Sequence, residues 1–180
     1  MDMIIECFQK GELPKTTRQA IITLIPKKDI KIHIKDFRPI SLTNIDFRII
    51  TLTYAQRLQK IIGDIISENQ SAYIKKRYIG HNIRLLEDIC YYCESQNKEG
   101  GLIALDFRKA FDSLDWNFIE STLKTFDFGE NFQKFFRIIY NKPQTFIKNN
   151  GWVTEPFQMT RGIRQGCAVS ALIFILCTEI

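Results

Sequence analysis

Hydrophobic positions along the chain repeat with two different periods, and the switches between them outline the elements. The run AIITLI at 20–25 is short, rich in isoleucine and followed by Pro26, which predicts a strand. Beyond it Ile30, Ile32 and Ile34 alternate with Lys31, His33 and Lys35, a period of two that predicts a hairpin arm with one charged face, interrupted at Pro39. Ile49, Leu52, Ala55, Leu58, Ile61, Ile62 and Ile65 then recur every three or four residues. That spacing predicts an amphipathic helix over 45–66, weakened at Gly63. A second helix is predicted over 82–95, with Ile83, Leu86, Ile89, Cys90 and Cys93 on one face. Gly100-Gly101 ends that region and precedes the apolar run Leu102 to Leu105, read as a buried strand. Helices over 116–126 and 131–140 follow, and Asn150-Gly151 predicts a hairpin turn between TFIKN and WVTEPF. RGIRQG at 161–166 is a glycine-bearing loop leading into a stretch, 168–177, that is apolar except for Ser170 and reads as a buried helix. Helices mixed with short strands and an antiparallel hairpin define an α+β class.

Composition narrows this modestly. The chain has 180 residues, 45% hydrophobic and 25% charged, enough to bury a sizeable core as one domain or part of one. The 168–177 run is about half the ~20 residues of a membrane span, so no membrane partner is expected. Five cysteines, an odd number, and an N-terminus without a long apolar core point to an intracellular, reducing setting. Cys90 and Cys93 form a C-x-x-C but have no second ligand pair at zinc spacing, so helix packing is the reading there. Net charge is +5, with basic residues gathered at Lys27, Lys28, Lys31, Lys35 and Arg38 and again at Lys75-Lys76-Arg77. Such clusters serve either as solvated faces or as phosphate contacts.

One stretch carries chemistry. In GLIALDFRKAFDSLDW (101–116) a core-type strand ends on Asp106, and Asp112 and Asp115 follow. Asp is a preferred helix N-cap, which accounts well for Asp115 and Asp112. For Asp106 a second reading stands beside it, because a carboxylate at the end of a buried strand is held rigidly at the mouth of a cleft and suits metal ligation.

The ordered blocks LIPKK (24–28), DFRPISL (36–42), NQSAYIKKR (69–77), LIALDFRKAFDSLDW (102–116) and RGIRQGCAVSALIF (161–174) resemble the reverse transcriptase domain of non-LTR (LINE-type) retrotransposons. Departures are Ala72 and Lys76, where the family often has glycines, and Ala168 and Ala171, where it has prolines. The resemblance implies a partial right-hand polymerase fold, with fingers over about 20–100 and an incomplete palm with an antiparallel sheet over about 101–180. It implies an RNA-directed DNA polymerase that uses an RNA template, a DNA primer and deoxynucleoside triphosphates. Phosphoryl transfer of that kind employs two divalent ions, Mg²⁺ being the hard ion suited to carboxylates.

By the same resemblance, Asp106 is the catalytic acid and metal ligand, with the Phe107 carbonyl as a second contact. Arg38 grips the triphosphate, assisted by Lys28. Phe111 lies under the sugar, where a ring would exclude a 2′-hydroxyl; the alternative is that it is core. Gln165 and Gly166 shape the nucleotide pocket, against the alternative of a solvent-exposed loop. Lys27, Lys31, Lys75, Lys76 and Arg77 form the nucleic-acid contacts.

No Asp-Asp pair occurs in the sequence, although the family completes its site with a hairpin bearing one. The expectation is therefore a fragment whose own 180 residues do not polymerise and whose terminal helix lacks part of its cover. Two readings follow: part of a polymerase, or a non-catalytic relic that at most binds RNA or a primer–template duplex. A nuclease using Asp106 and Asp112 is not suggested by the ordered blocks.

Overall fold

A computed structural model describes residues 2–27 and 33–180. Helix α1 (Asp2–Lys10) and a single turn, α2 (Lys15–Arg18), lead into strand β1 (Gln19–Pro26), as the isoleucine run predicts. Its antiparallel partner is β2 (Phe37–Thr43); most of the alternating stretch at 30–34 lies outside the described residues, and Ile34 opens a 3-10 turn. Pro39 sits inside β2 and faces Leu24 in the register. The strand tolerates it because β2 is the outermost strand of the sheet. Ser41, two residues on, sends its N–H away from β1 to the Gln165 carbonyl. Pro39 shares that parity, so the N–H it lacks would have pointed outward too.

The sheet runs β2-β1-β3-β4, with β3 (Gln144–Asn149) lying parallel to β1 and antiparallel to the short strands β4 (Trp152–Val153) and β5 (Phe157–Gln158). At the predicted hairpin, Asn150 and Gly151 have φ of 48° and 84°. Both signs are those of a type I′ turn, which matches the twist of the flanking strands. The sheet thus joins 19–43 to 144–158 across all the intervening helices.

Those helices follow the predicted periods closely. The expected 45–66 helix divides into α3 (Ile45–Leu58) and a single turn, α4 (Ile62–Ile65), with the break just before Gly63. Asn44 caps α3 by accepting the Asp46 N–H at 3.0 Å. Helix α5 (Ile79–Ser95) forms where predicted but buries none of its residues, so its apolar face is exposed. The turn α6 (Ala110–Ser113) precedes α7 (Trp116–Thr125), α8 (Glu130–Ile139) and α9 (Ser170–Thr178).

Two expectations are overturned. Leu102, Ile103 and Leu105 are 71%, 82% and 91% exposed and form no strand. A strand exists only with a ladder partner, and none of the described strands lies beside this segment. The terminal helix, expected to be poorly covered, is instead at the centre of the core. Leu172, Ile173, Ile175 and Leu176 of α9 are buried together with Ile119 and Leu123 of α7, Phe135, Phe136 and Ile139 of α8, and Phe47 of α3. Each such side chain contributes about 1.5–3 kcal/mol on burial, so α9 anchors the molecule. Among the described residues no helix is long and apolar enough to cross a membrane.

Candidate functional site

The loop 161–166 is held by backbone contacts on both sides. On one side Gly162 N–H donates to the Leu114 carbonyl at 2.7 Å and Ile163 N–H to the Phe111 carbonyl at 2.8 Å. The Trp116 indole N–H adds a bond to the Gly162 carbonyl at 2.8 Å. On the other side the Gln165 carbonyl accepts the Ser41 N–H at 2.8 Å, covering part of the outer edge of β2. Both glycines are required sterically. A β-carbon on Gly162 (φ +82°) would stand 2.9 Å from the Asp112 carbonyl oxygen, and one on Gly166 (φ +104°) 2.9 Å from that of Ser41. The close approach that Gly166 permits here is thus to β2.

Around this loop several of the sequence-predicted residues assemble. Phe107 and Phe111 both pack on Phe174 of α9, with ring centroids 5.6 Å and 5.3 Å apart. Phe111 is half-buried, and Asp106, one residue before Phe107, is exposed. Gln165 extends its Nε2 to Asp112 Oδ1 at 3.5 Å, the outer limit of a hydrogen bond. Arg38 is exposed on β2, three residues from Ser41. Asp115 caps α7, its Oδ1 accepting the Asn117 and Phe118 N–H groups at 2.8 and 3.3 Å, as expected. Asp112 caps nothing and lies within α6.

The remaining predicted residues lie elsewhere. Lys28 and Lys31 are outside the described residues. Lys27 is exposed, with its ammonium on the Lys35 carbonyl at 3.1 Å. Lys75 and Lys76 are exposed on the loop between α4 and α5, and Lys76 has a φ of 67°. Arg77, beside them, has an internal task. Its Nη1 donates to the carbonyls of Ser67 and Gln70, and its Nη2 to those of Gly63 and Ile66. The fixed fork of a guanidinium suits four carbonyls gathered at a helix end and a turn, of which Ser67's also accepts the Gln70 N–H at 3.1 Å.

One residue in the loop went unmarked by sequence reasoning. Arg164 is 1% exposed. Its Nη2 donates to the Arg18 carbonyl at 2.5 Å, and its guanidinium carbon stands 5.0 Å from the centre of the Phe47 ring. Burial lowers its pKa, an effect opposed by the neighbouring Tyr140 and Cys167. The neighbouring Ile163 and the apolar stretch that begins at Cys167 gave no signal in the sequence that set Arg164 apart from the exposed Arg161.

Among the described residues no group of three or more His, Cys, Asp or Glu side chains is arranged to hold an ion.

Comparison with known proteins places this geometry. Residues 25–180 match the family described as reverse transcriptase (RNA-dependent DNA polymerase). The chain is 33% identical to the uncharacterized 149 kDa protein of transposon TX1 from Xenopus laevis, over 98% of its own length and 14% of that protein's. It is 28% identical to the Pol polyprotein of the type-2 retrotransposable element R2DM from Drosophila melanogaster, over 99% of its length and 16% of the polyprotein's. It therefore spans about a sixth of these curated relatives. Among solved structures, apo telomerase from Candida tropicalis shares the fold with a TM-score of 0.50 at 16% identity, over 98% of this chain and 42% of that one. The right-hand polymerase architecture is the α+β arrangement described above. The match over residues 25–180 makes this protein a member of the reverse transcriptase family, with similar proteins in transposons and retrotransposable elements.

Proposed function

We propose that the chain is the nucleotide-selecting part of an RNA-directed DNA polymerase. The observation that carries this is the 161–166 loop, bonded between the segment bearing Asp106, Phe107 and Phe111 and the strand bearing Arg38. A deoxynucleoside triphosphate entering there meets Arg38 for its phosphates, a forked charge suited to phosphate oxygens. Phe111 is set to face the sugar and Gln165 the base. The packing of Phe111 on Phe174 supports a fixed ring, which is what exclusion of a 2′-hydroxyl needs. Asp106 is the acid of the reaction and Mg²⁺ the ion of this family's divalent-metal chemistry, with oxygen donors at Asp106 and Phe107. Among the described residues no further carboxylates are arranged to complete that ion pair.

The RNA template and DNA primer lie against the basic residues of the fingers, Lys27, Lys28 and Lys31 in one group and Lys75 and Lys76 in another. Arg77 serves this surface by shaping the loop that presents the two lysines. The fingers take in 20–100 together with 144–158, which shares their sheet, and the palm takes the remainder of 101–180. Five free cysteines support a reducing, intracellular setting. The reading of a non-catalytic binding fragment is favoured by one observation: among the described residues no group of three or more His, Cys, Asp or Glu side chains is arranged to hold an ion.

Primer extension on an RNA template tests this, using a longer polypeptide that supplies further carboxylates. Asp106→Asn should abolish extension, and Phe111→Ala should admit ribonucleotides. Extension that survives Asp106→Asn removes Asp106 from the chemistry, and an unchanged sugar preference leaves Phe111 as core alone.

A further inference from the structure

Arg164 is the largest fully buried side chain, and no carboxylate among the described residues pairs with it. Among the described residues its Nε and Nη1 have no hydrogen-bond partner. A buried charge without a counter-charge costs stability, and an apolar side chain of similar length would fill the same space better. A guanidinium is therefore a poor choice here for stability alone. It is a good one for geometry, because it reaches two fixed points at once: the Arg18 carbonyl, where α2 meets β1, and the face of Phe47 on α3.

The backbone around it shows what those points hold. Residues 162 and 163 are bonded to α6 and its flank, and residue 165 to β2. Arg164 lies between the two attachments. Without it, the loop would grip the fingers sheet through a single backbone hydrogen bond, Ser41 to Gln165, at the edge of the sheet. A lone bond at an edge opens readily.

We propose that Arg164 is a positioning residue, whose tether to Arg18 and Phe47 fixes the 161–166 loop against β2 and so sets Gln165 and Gly166 relative to Arg38. The assignment deepens the nucleotide-pocket reading and rests on it. Three acts follow from the geometry. The tether holds the Ser41–Gln165 bond closed, couples the loop's opening on the β2 side to that on the α6 side, and presets the pocket before nucleotide arrives.

Residue-resolved amide exchange on the 180-residue chain tests the tether without any catalysis. In the unaltered chain the Ser41, Gly162 and Ile163 amides should exchange as one unit. In Arg164→Met the Ser41 amide should exchange about tenfold faster or more, as expected for the loss of one charge-assisted hydrogen bond. The urea midpoint should hold or rise, because the uncompensated charge is gone. Arg164→Lys, which keeps one donor for the Arg18 carbonyl, should fall between. An unchanged Ser41 rate in folded Arg164→Met overturns the proposal. If that variant does not fold, the unaltered chain decides: Ser41 exchanging independently of Gly162 and Ile163 overturns it, and common exchange supports it. In the longer polypeptide Arg164→Met should raise the nucleotide KM more than it lowers kcat, and an unchanged KM overturns the positioning role. Failure of the polymerase reading itself is seen separately, as absent extension by the unaltered longer polypeptide.

Discussion

Gly166 faces Ser41 so closely that a β-carbon on the glycine would lie 2.9 Å from the serine's carbonyl oxygen. Loop and edge strand therefore meet backbone to backbone, with the Ser41 N–H bonded to Gln165 next door. The contact covers an edge that would otherwise present unpaired groups.

Gly166→Ala should cost about 2–3 kcal/mol, combining a left-handed backbone with a clash against an immobile carbonyl. Gly11 isolates the first effect, since its φ is +73° and nothing lies within 4 Å of where a β-carbon would be. Gly11→Ala should cost only about 1 kcal/mol. Urea denaturation of both variants checks the difference, and equal losses would mean that the Ser41 contact yields.

Lys76 holds a φ of 67°, a conformation that a β-carbon disfavours by about 1–2 kcal/mol. Lys76→Gly should raise stability by about 0.5–1 kcal/mol after the added freedom of the unfolded chain is subtracted. The same substitution should weaken RNA–DNA duplex binding and flatten its salt dependence by about one phosphate contact. A gain in stability with no change in salt slope would separate the lysine from the nucleic acid.

Arg77→Lys should loosen the loop between α4 and α5. The guanidinium serves four carbonyls, at Gly63, Ile66, Ser67 and Gln70, whereas an ammonium has three donors and no fixed fork. A loss of about 2–3 kcal/mol is expected, with new protease cleavage inside 63–77. Cleavage elsewhere first would show that the clamp is not the weak point.

Cys177 gives the molecule a limit at alkaline pH. Burial pushes its thiol up to about 11, against an unfolded value of about 8.5–9. Because the folded value is raised, the stabilisation of the neutral thiol is fully present below about pH 9. It is lost as pH rises towards 11, by about 2–3 kcal/mol in all. The buried Tyr140 hydroxyl, raised in the same direction by burial, adds to the fall in any chain that retains it. Cys177→Ala should thus start lower at pH 7 and decline less between pH 9 and 11 than the unaltered chain. Parallel declines would place the alkaline loss on Tyr140 alone.

Local order was legible in the sequence wherever it depends on neighbours a few residues apart. The three-to-four spacing marks α3, α5, α7 and α8, Asp115 caps α7, and Asn150-Gly151 turns the β3–β4 hairpin. These follow from backbone sterics and from side chains that share one helical turn. The family blocks mark Asp106, Phe111 and Gln165 as candidates, whose roles are those proposed above. Tertiary structure alone decided which apolar segments found partners. Residues 37–43 pair with β1 although Pro39 stands among them, because an outer edge makes no demand on the missing N–H. Leu102 to Leu105 look like a core strand yet stay exposed, and α5 keeps its apolar face uncovered, while the stretch that became α9 is enclosed. Nor could spacing reveal that Arg164, next to the pocket residues Gln165 and Gly166, points inward to Arg18, 146 positions away. Helical periodicity is a property of the segment itself; burial and strand pairing are properties of whatever packs beside it, and those neighbours are distant in the chain.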